Sequence, residues 1–204
     1  AGTDEQKQKW LPRIASGELI TSFALTEPDA GSDAGSVKTR ATLDEAKGVY
    51  RLNGSKRYIT NADKADLFTV MARTGGEGAH GVSSFLVPRD LPGLSVGAHE
   101  KKMGQQGAHV CDVNFDDVEV PVENRLGAEG EGFKVAMRVL DRGRLHISGV
   151  CVGAAERLIE DMVGYASERQ QFGKPISSFQ MIQAQIADSK AECMAARALV
   201  EQTA

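Results

Sequence analysis

The hydrophobic period of this chain changes once, near residue 129, and that change limits the folds open to it. Residues 18–126 carry short apolar runs rich in β-branched and aromatic residues: LITSFAL, GVYRLNG, KRYITN, LFTVMAR, VSSFLV and HVCDVNF. Turn signals punctuate them at Asp29-Ala30-Gly31, Asn53-Gly54, Gly75-Gly76 and Pro92-Gly93. Asn53-Gly54 between two strand-like runs predicts a hairpin. Strands that follow one another without intervening helices predict an antiparallel sandwich or barrel, not a doubly wound sheet. No GxGxxG motif is present. Beyond residue 129, Phe133, Met137, Leu140, Leu145, Ile147, Val150, Val152, Leu158, Ile159, Met162 and Tyr165 set out one long helix. Gly143, Gly149, Gly153 and Gly164 lie inside it. Each costs about 1 kcal/mol in a helix interior, so close helix packing or a close ligand is expected there. Phe172-Gly173-Lys174-Pro175 breaks that helix, and Ser177 or Ser178 is placed to cap a second one running to the end. At the other end, residues 4–15 read as the last turns of a helix entering from upstream, with Pro12 arguing against an undistorted helix. The fold class is therefore α+β: a sandwich or barrel-like β domain, then long antiparallel helices of an incomplete bundle.

Hydrophobic residues make up 41 % of the 204 positions, enough for a core. The formal net charge of −4 argues against a general nucleic-acid binder, since phosphate binding needs a basic surface. No apolar run reaches the ~18 residues that span a bilayer. No signal-peptide pattern opens the chain, although Ala1 in place of Met leaves a removed targeting segment open. Cys111, Cys151 and Cys193 are scattered and odd in number, which suggests no disulfide framework and a reducing compartment. His80, His99, His109 and His146 show no metal-ligand spacing, so surface or packing roles are expected and no metal site.

Four segments could carry chemistry. Thr26-Glu27-Pro28-Asp29-Ala30-Gly31-Ser32-Asp33 follows a strand and ends in small residues. If Gly31 adopts φ > 0, its backbone N–H groups form a nest for an anion such as a pyrophosphate; a capped surface turn is the plainer reading. In Tyr58-Ile59-Thr60-Asn61 an aromatic and a hydroxyl alternate, so both point to one face that could hold a planar heterocycle; an ordinary half-buried strand reads the same way. Asp141-Arg142-Gly143-Arg144 interrupts the apolar pattern of the long helix, as a solvated face also would. In Glu168-Arg169-Gln170-Gln171-Phe172-Gly173, Arg169 could simply oppose a helix dipole.

Taken in order, the four are more specific than any one. TEPDAGSD, YITN about thirty residues on, DRGR at the head of a long helix and then ERQQFGKPI resemble the acyl-CoA dehydrogenase family. Asn53-Gly54-Ser55-Lys56, Met103-Gly104 and Phe115-Asp116-Asp117-Val118-Glu119-Val120-Pro121 agree in order. The resemblance implies three pieces. Residues 1–17 would be the end of an N-terminal helical domain. Residues 18–127 would be a middle β domain that binds FAD. Residues 128–204 would be the first two helices of a truncated C-terminal helical domain. It further implies oxidation of an acyl-CoA thioester to the trans-2-enoyl-CoA, with electrons passed to an electron-transfer flavoprotein. It also implies a homo-oligomer, dimer or tetramer, in the bacterial cytoplasm or mitochondrial matrix. Readings of another class stay open: a non-catalytic module that binds flavin or CoA or only oligomerises, or an acyl-CoA oxidase.

By the same resemblance, Phe23, Ala24, Leu25, Thr26, Gly31 and Ser32 line the flavin. Thr26 would bond its pyrimidine side, and Ser32 would lie by the pyrophosphate or the CoA arm. Tyr58, Ile59 and Thr60 would lie against the isoalloxazine, with the Thr60 hydroxyl near N5. Asp141 and Arg144 would line the acyl-CoA cavity, while Arg169, Phe172 and Gln180 would reach the FAD of a neighbouring subunit. The family's base is a glutamate. A minority carry it on the first long helix, where this chain has Gly143; Glu131 lies before that place, and Glu156 is about 20 Å beyond it at 1.5 Å per residue. The base is therefore expected downstream of Ala204, and no catalytic residue is assigned within the chain.

Overall fold

A computed structural model describes all 204 residues. Two compact units divide it, residues 1–137 and residues 138–204.

The first unit opens with helix α1, Asp4–Ala15. It does not enter from upstream: Thr3 is its N-cap, in a capping box where Gln6 N donates to Thr3 Oγ1 and Thr3 N donates to Gln6 Oε1. The helix continues through Pro12 to Ala15. The ring lies on the exposed side, where water can satisfy the carbonyl left without its N–H partner. The buried face fixes α1 to the sheet. Trp10 packs with Leu67 and Leu86, and the Gln6 amide donates to the carbonyls of Glu123 and Arg125 at 2.7 and 2.8 Å.

Eight strands follow in one open sheet: β1 Thr21–Ala24, β2 Arg40–Asp44, β3 Val49–Thr60, β4 Leu67–Arg73, β5 Val82–Pro88, β6 Leu94–His99, β7 Val110–Pro121 and β8 Arg125–Leu126. The pairing order is β6-β7-β3-β2-β4-β5-β8, with β1 against β4. The sheet is mixed and does not close into a barrel: β1 and β2 both run parallel to β4, where an all-antiparallel sheet was expected. The antiparallel half β6-β7-β3-β2 meets the rest through one β2–β4 pair, Arg40 with Arg73. Both halves bury one core, in which Tyr50, Leu52 and Ile59 of β3 and Val113 and Phe115 of β7 join Phe68 and Val70 of β4 and Phe85 and Val87 of β5.

Asn53-Gly54 is not a hairpin. It lies inside the continuous β3, where the register against β7 shifts between Leu52 and Gly54. Here β7 carries the extra residue, and Asp117 turns to φ +54° with its N–H capped by the Asn53 side chain at 2.9 Å. Gly54 itself has φ +146°, and a Cβ on it would meet the Thr39 backbone at 2.8 Å. The glycine therefore answers to close approach of the chain before β2, not to a turn.

The second unit is helical. Helix α2, Gly132–Glu168, begins in the first unit and continues as one 37-residue element, as the apolar period predicts. Helix α3, Gln180–Thr203, follows a short β9–β10 pair, Gln170–Gln171 with Lys174–Pro175. Neither serine caps it: Phe179 holds the cap position, and the Ser178 hydroxyl donates instead to the Pro175 carbonyl. Beyond the surrounding turns of α2 itself, a Cβ at Gly143, Gly149, Gly153 or Gly164 would meet nothing within 4 Å, so packing against another element of the chain explains none of them.

Gly54→Ala should destabilise the full-length protein by about 1–3 kcal/mol, because it combines a positive φ with a clash against backbone. Urea unfolding should show a lower midpoint; an unchanged midpoint would mean that Thr39 yields freely.

Candidate active site

Lys56 organises the site in the first unit. It lies on β3 with its side chain fully buried, and its ammonium donates to Glu27 Oε1 at 2.7 Å and to the Leu25 carbonyl at 3.1 Å. The Glu27 carboxylate also accepts from the backbone N–H groups of Lys38 at 2.6 Å and Thr39 at 3.0 Å. A buried charge pair persists only when its remaining lone pairs and protons are satisfied, and these contacts supply that. Burial pushes the Lys56 ammonium down to about 8 against the pull of the Glu27 charge. Burial also works against the Glu27 carboxylate, but the Lys56 charge and the donors around it outweigh that and hold it below its ordinary range.

The pair pins the segment after β1 along the end of β3. Arg57 N donates to the Thr26 carbonyl at 2.8 Å, and the Ser22 hydroxyl donates to the Thr60 carbonyl at 2.6 Å. Residues 22–26 thus run beside residues 57–60. Beyond Thr26 the chain turns sharply, with paired backbone hydrogen bonds between Glu27 and Ala30 of 2.9 and 3.2 Å. Gly31 is not among the positive-φ glycines, so the expected nest does not form around it. Gly31 and Ser32 stand exposed after a closed turn.

A bulge sets the Tyr58 face. Between Lys56 and Ile59 the β3–β7 register shifts by one residue, and Tyr58 adopts φ +58°. Without the extra residue, Tyr58 would follow Lys56 into the core and Ile59 would face out. With it, Ile59 is buried, and Tyr58 and Thr60 are both exposed. Asn61 follows at φ +56°. Two non-glycine residues in the left-handed region flank Ile59-Thr60, and strain of this kind concentrates at working sites. The Arg57 guanidinium lies 4.8 Å from the Tyr58 ring centroid. The face therefore offers a tyrosine ring and a threonine hydroxyl to solvent, bordered by half-buried Phe23 and Thr26. Ala24, Leu25 and Ile59, expected to line a cofactor, are buried with their side chains in the core, so only their backbone could serve a ligand. An aromatic face, two hydroxyls and adjacent backbone groups fit the edge and plane of a flavin ring.

In the helical unit the remaining site residues form two groups. Asp141 and Arg144 pair with each other at 3.0 Å on an exposed face of α2. Arg169 follows the end of α2, and its carbonyl accepts from Ile176 N at 2.8 Å. Phe172 is 92 % exposed at φ +52° and meets Phe179 edge-on, 6.1 Å between centroids. Gln180 comes next, so Arg169, Phe172 and Gln180 share one end of the unit. Arg144 and Arg169 are about 38 Å apart along the helix, at 1.5 Å per residue.

Three features escaped the sequence reading: the Lys56–Glu27 pair, the bulge at Tyr58, and a cluster of Asp63, His99 and His109. A lysine within an apolar strand was the one visible sign of the first.

Two family models match the chain, the acyl-CoA dehydrogenase middle domain over residues 22–118 and the acyl-CoA dehydrogenase C-terminal domain over residues 130–204. The chain belongs to the acyl-CoA dehydrogenase family. An acyl-CoA dehydrogenase of Bacillus subtilis is 46 % identical over 98 % of this chain and 52 % of its own length. The structure of butyryl-CoA dehydrogenase from Megasphaera elsdenii matches with a TM-score of 0.95 at 43 % identity, over 98 % of this chain and 52 % of that one. An acyl-CoA dehydrogenase from Bacillus anthracis, solved in complex with FAD, matches with a TM-score of 0.92 at 42 % identity, over 97 % of this chain and 34 % of that one. The chain spans about half the length of the first curated relatives it matches. Within this family member, the Tyr58 face and the Thr26 loop both fall in the part matched by the middle-domain model.

Lys56→Met should lower the stability of the full-length protein by about 3–5 kcal/mol, because it strands a buried carboxylate. Lys56→Met/Glu27→Gln should recover part of that loss in urea unfolding. A single variant as stable as the parent, or a double variant no better than the single, would contradict the role given to the pair.

Proposed function

We propose that the full-length protein binds FAD and oxidises an acyl-CoA thioester to the trans-2-enoyl-CoA, passing electrons to an electron-transfer flavoprotein. One observation carries the reading: the bulge in β3 turns Tyr58 and Thr60 outward together, beside the pinned Thr26 segment, in a chain of this family. Bound FAD would supply the hydride acceptor. Tyr58 would cover the flavin ring, Thr60 would hydrogen-bond its reacting edge, and Thr26 would bond its pyrimidine side. Ser32, exposed beyond the closed turn, would meet the pyrophosphate or the CoA arm. Asp141 and Arg144 would border the acyl-CoA cavity.

Removal of the proton α to the thioester carbonyl needs a base in contact with it, within about 3 Å. Glu131 accepts a hydrogen bond from Ala128 N at 3.2 Å, and Glu156 is engaged by Arg197. Gly143 has no side chain. The proposal therefore places the base outside residues 1–204. It also places Arg169, Phe172 and Gln180 on the FAD of a neighbouring subunit, since they sit at the far end of α2 from Asp141 and Arg144. A guanidinium there suits a pyrophosphate.

The test is enoyl-CoA formation by the full-length, FAD-loaded protein with an artificial electron acceptor. Thr60→Val should keep the fold but slow flavin reduction by roughly fivefold, the equivalent of a lost hydrogen bond of about 1 kcal/mol. An unchanged flavin spectrum and reduction rate in that variant would remove Thr60 from the flavin. Absence of enoyl-CoA across acyl chain lengths would remove the activity.

A further inference from the structure

Asp63, His99 and His109 are scattered in sequence and meet at one edge of the sheet. Asp63 lies in the turn after β3. His99 ends β6, and His109 precedes β7. His109 Nδ1 is 2.7 Å and His99 Nε2 is 3.2 Å from the same oxygen, Asp63 Oδ2. The imidazole rings lie 4.0 Å apart between centroids, tilted by 33°. One ligand atom from each residue falls within 4.8 Å of the others. Asp63 Oδ1 is buried and has no hydrogen-bond partner, so the carboxylate is desolvated on one side and shared by two rings on the other.

We propose that Asp63, His99 and His109 form a binding site for a borderline divalent cation of the zinc, cobalt or nickel type. Two imidazoles and one carboxylate are the donor set such ions take, in preference to the all-oxygen sets of magnesium and calcium. In a tetrahedral zinc site, ligand bonds of about 2.0–2.1 Å put neighbouring ligand atoms about 3.3 Å apart. The two nitrogen–oxygen separations lie within about 0.6 Å of that spacing, so small rotations about side-chain bonds open the site. His99 is half exposed and His109 about one-third exposed, which leaves water to complete the coordination. Lys64 is the competing cation, with Nζ 3.8 Å from Asp63 Oδ2, but it is largely exposed and free to withdraw.

The backbone around the cluster is already fixed. Asn61 N donates to the His109 carbonyl at 2.7 Å, and Ala65 N and Lys64 N both donate to the Asn61 carbonyl at 2.9 Å. His99 is paired with Cys111 across β6 and β7. The ion would thus join the β3–β4 turn to the β6–β7 hairpin, next to Thr60, as a structural clamp.

The test is calorimetric titration of the tag-free, full-length, FAD-loaded protein with zinc chloride, and separately the visible spectrum with cobalt chloride. One equivalent per chain should bind, and cobalt should show d–d bands of a site with nitrogen ligands. His99→Ala, His109→Ala and Asp63→Asn should each weaken zinc binding at least tenfold. Cys151→Ser, which removes the exposed thiol, should leave it unchanged. Retained flavin absorbance reports that each variant is folded, and the cobalt spectrum of the parent needs no variant. Failure of either metal to bind saturably would overturn the proposal. So would binding that survives both histidine substitutions.

Discussion

Lys56 and Glu27 face each other away from water, 29 residues apart in sequence, and the segment between them is placed by that contact. An ion pair in such a position gains little stability on balance, because desolvating both charges offsets most of their attraction. What it fixes is geometry. Lys56 takes hold of the Leu25 carbonyl as well as the carboxylate, and Glu27 takes hold of two backbone N–H groups at the approach to β2. Four pieces of chain thus converge on one pair: the end of β1, the turn after it, the entry to β2 and the middle of β3. Gly54 permits the last of these approaches, because Thr39 occupies the space its side chain would need.

The bulge two residues beyond Lys56 depends on the same anchor. Lys56 must stay buried to meet Glu27, and Ile59 must stay buried to fill the core. Three steps of regular strand cannot bury both. The extra residue resolves the conflict and leaves Tyr58 in the left-handed region with its ring outward. The cost of that conformation, on the order of 1–3 kcal/mol, is borne by the packing around it. The helical unit follows a different logic. Val139, Ile147, Val150, Leu158 and Tyr165 stay exposed on α2, and Met181, Met194 and Leu199 stay exposed on α3. Two helices alone cannot cover their own apolar faces.

Long, local and repetitive signals were legible in the sequence. Helix α2 was readable because its apolar period persists across four glycines. The strand-rich middle was readable from its alternating runs. Non-local pairings were not: nothing in residues 21–24 signals a parallel partner at residues 67–70. Asn53-Gly54 misled because both residues answer to distant partners, Asn53 to the bulged Asp117 of β7 and Gly54 to Thr39, and the sequence does not distinguish such a role from a turn. Pro12 is accommodated inside α1 with its ring on the side that faces water, a placement that only the packed helix reveals. At the site, the motif order pointed to the correct family, and Tyr58 and Thr60 do share an exposed face. Ala24, Leu25 and Ile59 were assigned to the cofactor by the family resemblance; their side chains belong to the core, which leaves their backbone groups to serve a ligand. His99 and His109 looked unrelated because their ten-residue spacing acquires meaning only once β6 and β7 pair.

The central claim is that the Lys56-anchored bulge presents Tyr58 and Thr60 as the flavin-facing surface of the β domain. The most direct measurement is a crystal structure of the full-length protein with FAD bound. The account predicts the isoalloxazine against Tyr58, with the Thr60 hydroxyl within hydrogen-bond distance of its reacting edge, about 2.6–3.2 Å. A flavin ring bound elsewhere, with Tyr58 and Thr60 still in solvent, would contradict it.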